Sequence, residues 1–208
     1  MYAFVLMEKI NAVIFDWGGV LIDDPAPALF KYCANVFGVS EKQYIAAFDI
    51  CINDFQTGAV TEQQFWANMA KHLNVPPPKK DSLWTEAFHA AYRPRQEMVT
   101  LVSNLRKAGC KTAIISNTEM PVVKIIDKQI CDYMDVTVLS CLEGMAKPGK
   151  EIYELTLNRL GVSAQQAIFI DDKPENIDGA KRAGLQTILF KTIENFKKNI
   201  AEFFPNIV

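Results

Sequence analysis

From residue 96 onward the chain alternates stretches of helical periodicity with short, continuous apolar runs, and this alternation constrains the fold more than any other feature. Helix-patterned residues 96–108 precede a strand at 111–115, residues 120–131 precede 136–140, and residues 149–160 precede 167–170. Residues 175–183 then lead to 186–190, and a last helix is expected near 193–203. An earlier run, Ala12-Val13-Ile14-Phe15, stops at Asp16 and the turn residues Gly18-Gly19. Short apolar runs bounded by turn signals fit strands buried on both faces, and strands separated by helices pair in parallel through crossovers. The expected class is α/β with a doubly wound parallel sheet. Right-handed crossovers bring the C-terminal ends of its strands to one edge, where open α/β sheets bind their ligands.

Between the first strand and this alternation lies a block of purely helical pattern. Ser40 to Gln43 and Thr61 to Gln64 read as capping boxes, and helices are expected near 27–37, 41–55, 62–73 and 80–91. Phe48, Ile52, Phe55, Phe65, Trp66, Trp84, Phe88 and Tyr92 then fall into stripes, the mark of a helical-bundle core rather than of a cofactor box. The expected division is a Rossmann-like core from residues 1–23 and 96–208, with a small inserted helical bundle at 24–95. Pro76-Pro77-Pro78-Lys79-Lys80 is the one linker-like stretch, and His72 and His89 stand in separate helices without neighbouring ligand-type residues.

Composition narrows the function. Lys and Arg total 22 against 24 Asp and Glu, a net charge of −2, and half the residues are apolar. No basic excess is available to neutralise phosphates along a nucleic acid, and the apolar content excludes a disordered chain. Cys33, Cys51, Cys110, Cys131 and Cys141 are odd in number and never spaced C-x-x-C, which favours small core residues in a reducing, cytoplasmic compartment. Tyr2 to Leu6 is too short an apolar run for a signal segment or membrane span, and Met7 is an alternative start.

The chemistry is expected at the strand ends. The first strand ends in Asp16-Trp17-Gly18-Gly19, the strand at 111–115 in Ser116-Asn117-Thr118, and the strand at 167–170 in Asp171-Asp172-Lys173-Pro174. The loop after 136–140 carries Lys147-Pro148. Each piece alone passes for a cap or a turn. Together they put three carboxylates, a lysine, a hydroxyl and an amide around one crevice. Converging carboxylates repel and are costly to bury, and a hard divalent cation, Mg²⁺, is the simplest remedy. A cation, a lysine and short donors are the parts that bind a phosphate and stabilise its transfer. No Gly-rich nucleotide loop is present.

In this order, and over essentially the whole chain, the four segments resemble the motifs of the haloacid dehalogenase (HAD) superfamily, and the helical insert looks like that superfamily's cap of the first type. Ser116-Asn117-Thr118, Gly144-Met145-Ala146-Lys147-Pro148 with Ile152-Tyr153, and Asp171-Asp172 with Asn176-Ile177 are similar to small bacterial sugar-phosphate phosphatases, the α-D-glucose-1-phosphate phosphatases among them. The resemblance implies a Mg²⁺-dependent phosphoric monoester hydrolase acting on a small phosphorylated metabolite. It makes Asp16 the nucleophile that forms an aspartyl-phosphate, its other carboxylate oxygen binding Mg²⁺. Ser116 would donate to the phosphoryl oxygens with Asn117 beside it, and Lys147 would offset the charge of Asp16 and phosphate. Asp172 would be a direct metal ligand, Asp171 a weaker candidate acting through water, and the Gly18 carbonyl would complete the protein's share.

One position departs from the pattern. Gly18 stands where the family has a second Asp that protonates the leaving oxygen, a function worth about 10²–10⁴ in rate. The sugar-phosphate phosphatases named above share this Asp-x-Gly form, and an anomeric leaving oxygen has less need of an acid. A mutase is disfavoured. A metal-free 2-haloacid dehalogenase, with Asp16 attacking carbon, is the second enzyme reading, although Asp171-Asp172 argues against it. A catalytically weak metabolite- or protein-binding relative is the third. Asp23 and Asp24 are expected to cap the first helix of the insert, and Arg93 to be a solvated surface residue.

Overall fold

The computed structural model describes residues 9–130, 133–205 and 207. Residues 1–8, including the short apolar run and Met7, and Cys131 lie outside the described residues. Among the described residues five parallel strands form one sheet: β1 (Ala12–Phe15), β2 (Lys111–Ser116), β3 (Val136–Leu139), β4 (Ala167–Asp171) and β5 (Gln186–Leu189). Their order is β3-β2-β1-β4-β5. β1 is therefore central, with Phe15 registered against Ile114 on one side and Ile170 on the other. The winding reverses beside β1, which puts a crevice at the carboxyl ends of β1 and β4.

Strand periodicity sorts the core. Ala12 and Ile14 face one side with Ala113, Ile115 and Phe169, against α8 (Lys150–Leu160) and α9 (Pro174–Arg182). Val13 and Phe15 face the other with Ile114 and Ile168, where α5 (Gln96–Lys107) and α10 (Ile193–Ala201) supply Leu101, Leu105, Phe196 and Ile200. A sheet covered on both faces is why these strands read as continuous apolar runs.

The insert consists of α1 (Ala26–Phe37), α2 (Glu41–Gln56), α3 (Glu62–Leu73) and α4 (Leu83–Ala91). Both expected capping boxes are formed, at Ser40/Gln43 and Thr61/Gln64. The aromatic stripes pack on one another: Phe55 and Phe65 stack with centroids 4.4 Å apart, and the Phe48 and Trp84 rings are parallel within 2°. Such pairs add about 0.5–1.5 kcal/mol each beyond their buried area. His72 and His89 are exposed.

The chain enters and leaves the insert through two adjacent crossings. Ile22 bridges Pro94, Asp23 N–H donates to the Arg93 carbonyl at 2.9 Å, and Arg95 N–H to the Leu21 carbonyl at 3.0 Å. The Arg95 guanidinium binds the Asp23 carboxylate and the carbonyls of Gly19 and Val20, tying both crossings to the loop after β1.

Several boundaries differ from expectation. The helix expected from residue 80 begins at Leu83, because the Ser82 hydroxyl accepts from Thr85 N–H and caps it. The helix expected from 120 opens as a 3₁₀ turn, Met120–Val122, and becomes α6 (Val123–Ile130). β3 stops at Leu139, and Ser140 starts a one-turn helix, α7 (Ser140–Glu143), that the sequence did not signal. No helix among the described residues is long and apolar enough to cross a membrane.

Candidate active site

A cavity of about 270 Å³ opens where the strand ends meet the insert. Asp16, Gly18, Ser116, Asn117 and Lys147 line it from the sheet, and Phe48, Trp84 and Phe88 from the helices. Trp17 joins the two parts by stacking on Phe88, centroids 5.2 Å apart.

Lys147 organises the floor. Its ammonium lies 2.8 Å from Asp16 Oδ1 and 2.7 Å from Asp171 Oδ2, with all three side chains almost fully buried. Trp17 N–H also donates to Asp16 Oδ1 at 2.7 Å. Burial lowers the affinity of Lys147 for its proton, but the two carboxylates more than reverse this and its pKa is raised. Burial pushes Asp16 up to about 7 against the pull of Lys147, with Asp171 and Asp172 adding to the rise. Asp172 is raised by the same two causes, burial and the neighbouring Asp171 charge.

The two adjacent aspartates are not equivalent. Asp171 is saturated: Lys173 N–H and the Asn176 amide donate to Oδ1, and Lys147 and Asn176 to Oδ2. Asp172 Oδ1 is buried with no hydrogen-bond partner. Oxygens of Asp16, Asp171 and Asp172 all lie within 4.8 Å of one another. An orphaned carboxylate oxygen facing two more carboxylates is a donor set suited to a hard cation, and these residues fit Mg²⁺.

The remaining residues singled out in the sequence fall as follows. Ser116 ends β2, buried on the cavity wall. Asn117 faces the same cavity, but its amide is spent on the lysine loop, donating to the Lys147 carbonyl and accepting from Lys147 N–H, each at 2.9 Å. Ser140 Oγ accepts from Thr118 N–H and donates to the Thr118 carbonyl, which fixes the loop after β2. The N-cap of α1 is Pro25, with no side-chain cap bond, although Asp24 just before it accepts from Ala26 N–H; Asp23 instead pairs with Arg95 at 2.9 Å. Arg93 is exposed and bonds its neighbour's carbonyl.

Sequence reasoning missed Glu119. It is buried on the cavity wall, where Gln56 and Trp84 of the insert donate to its carboxylate. Its place directly after Ser-Asn-Thr was the available signal.

The chain is similar to several known proteins. The model of the haloacid dehalogenase-like hydrolase family matches residues 10–184. Acyl-CoA dehydrogenase family member 10 of Mus musculus is 31% identical over 197 residues, which cover 87% of this chain but only 18% of the mouse protein. Sesquiterpene phosphatase astK of Aspergillus oryzae is 26% identical over 86% of this chain and 89% of its own length. Among solved structures, the HAD family enzyme BT-2542 of Bacteroides thetaiotaomicron, in complex with magnesium and inorganic phosphate, superposes with a TM-score of 0.75. It is 23% identical, over 92% of this chain and 99% of that one.

Proposed function

The chain belongs to the haloacid dehalogenase-like hydrolases, and on that premise we propose that it is a Mg²⁺-dependent phosphatase of small phosphorylated metabolites, with Asp16 as nucleophile. The observation that carries the reading is the buried, unpartnered Asp172 Oδ1 on a carboxylate clustered with Asp16 and Asp171, an acceptor that a bound cation would satisfy. Asp16, Asp172 and the Gly18 carbonyl would hold the ion. When bound, Mg²⁺ keeps the two aspartates ionised and offsets the charge of the phosphoryl group.

The chain's own groups do the rest. Lys147 and Trp17 N–H fix Asp16 at the mouth of the strand. An Asp16 oxygen forms a bond to phosphorus as the bond to the leaving oxygen breaks, and that oxygen departs with the electron pair and takes a proton from solvent. Water then attacks phosphorus, its proton passes to solvent, and the Asp16 carboxylate is released with inorganic phosphate. Ser116 donates to the phosphoryl oxygens. Asn117, with its amide engaged by the backbone of Lys147, positions that lysine, and Asp171 anchors its ammonium. Residues 24–95 act as a cap over the 1–23 and 96–208 core, keeping bulk water, but not the attacking water, out of the cavity. A sugar phosphate is the substrate favoured by the motif resemblance, and the free cysteines among the described residues accord with a cytoplasmic protein.

The test is a panel of phosphomonoesters and 2-haloalkanoates incubated with the protein and Mg²⁺. Phosphate without halide is expected. Halide release that survives chelation would replace this reading with the dehalogenase one.

A further inference from the structure

Resting on the phosphatase reading, we propose that Glu119 is the specificity-determining residue of the cavity. It receives a hydrogen-bond donor, a hydroxyl or an ammonium, carried by the leaving group at its end remote from phosphorus. The substrates are thereby phosphomonoesters whose leaving group sets an apolar face, an alkyl chain or the C–H face of a sugar ring, against the aromatic wall and carries a distal donor.

The surroundings of Glu119 support this. The Glu119 carboxylate lines the same cavity as Asp16 and Ser116 and is itself 5% exposed. Each of its oxygens already accepts one hydrogen bond, Oε1 from Gln56 Nε2 at 2.9 Å and Oε2 from Trp84 Nε1 at 3.0 Å. A carboxylate offers about four acceptor positions, and its own backbone N–H takes up a third, so roughly one remains. Among the described residues no Lys, Arg or His lies within ion-pair distance of it. Around it the helical side of the cavity is mainly apolar, formed by Leu29, Phe30, Phe48, Trp84 and Phe88 with Gln56 among them. Burial holds its pKa up to about 7 against the bonds from Gln56 and Trp84, and the charge of Lys173, which also lines the cavity, opposes it least.

The chemistry follows from desolvation. A substrate whose body lies against the aromatic wall expels water from Glu119. If that substrate brings a donor, the carboxylate regains a partner; if it brings a methyl group, the acceptor is left dry. Sites that leave a buried polar group unpaired reject the deficient analogue strongly. Two hydrogen bonds from α2 and α4 hold the carboxylate still for this purpose, so the reading surface is built jointly by core and insert.

Matched alkyl phosphates ending in methyl, hydroxyl or ammonium, in stepped chain lengths, test the idea. Wild type, Glu119→Gln and Glu119→Met are compared by kcat/KM, and the same three side chains in an Asp16→Asn background by Kd. Wild type is expected to prefer a donor-terminated ester over its methyl partner by about tenfold or more. In Glu119→Met that ratio falls toward one. In Glu119→Gln an ammonium preference falls likewise, because the charge is gone, while a hydroxyl preference persists in part through the remaining carbonyl; this separates the two donors. A wild type indifferent to the terminus overturns the proposal. So do variants that weaken all three esters by one common factor, which would make Glu119 a strut between insert and core. If no ester releases phosphate, the phosphatase reading fails, and the Kd ratios still decide the role of Glu119.

Discussion

The carboxylate of Asp172 occupies the space where a side chain on Gly19 would begin. A Cβ at residue 19 would fall 2.4 Å from Asp172 Oδ2 and 2.5 Å from its Cγ, and Gly19 has φ +87°. The turn after β1 and the end of β4 therefore interlock through the absence of a side chain, and that interlock aims Asp172 at Asp16.

Gly19→Ala is expected to displace Asp172 as well as strain the turn. Stability should fall by about 1–3 kcal/mol from the left-handed backbone alone. The Mg²⁺ concentration for half-maximal phosphate release should rise by about tenfold or more, as second-coordination disturbances of metal sites do. Gly109→Ala is the control: its φ is +80° but nothing lies within 4 Å of a Cβ there. It should lose stability without changing the Mg²⁺ requirement. Equal Mg²⁺ titrations for Gly19→Ala and wild type would contradict the ligand role of Asp172.

Gly18→Asp restores the carboxyl that the motif resemblance expects. The new Cβ meets Pro25 Cδ at 3.3 Å, so Pro25 must yield a few tenths of an ångström to admit it. Phosphate release from an alkyl phosphate should rise at least about tenfold relative to release from p-nitrophenyl phosphate, since only the poor leaving group needs a proton. An unchanged ratio would show that leaving-group protonation does not limit the native enzyme.

Glu119 makes stability depend on pH. Burial raises its pKa from 4.5 to about 7, against the hydrogen bonds from Gln56 and Trp84 and, least, the charge of Lys173. Between those values the folded protein holds a proton that the unfolded chain releases, so the contribution is complete below about 4.5 and is lost as pH climbs through about 7. Glu119→Gln keeps the neutral form at every pH. Urea unfolding should show the variant gaining on wild type across that window by up to about 3 kcal/mol. A constant difference would mean that the carboxyl is ionised throughout.

Much of this was legible in the sequence, for identifiable reasons. The four apolar residues of β1 and the run in β2 are buried on both faces, so burial itself wrote the pattern. Ser40 and Thr61 announced two helices because a capping box is a local interaction between residues three apart. The convergence of Asp16, Ser116, Lys147 and Asp172 followed from parallel strands sharing one edge. What stayed hidden was set by contacts distant in sequence. Saturation of Asp171 needs Asn176 and Lys147 together, and Asn117 turns to the Lys147 backbone across 30 residues. Glu119 acquires its surroundings only when α2 and α4 fold over the strand ends, 63 and 35 residues away in the chain.

The most direct measurement is phosphate release from a phosphorylated-sugar panel and p-nitrophenyl phosphate, with Mg²⁺ and with EDTA, by wild type and Asp16→Asn. Release that requires Mg²⁺ and is abolished in a folded Asp16→Asn protein is the expected result. Phosphate release that persists in EDTA, or in Asp16→Asn with Mg²⁺, would contradict the assignment of Asp16 as the nucleophile of a metal-dependent phosphatase.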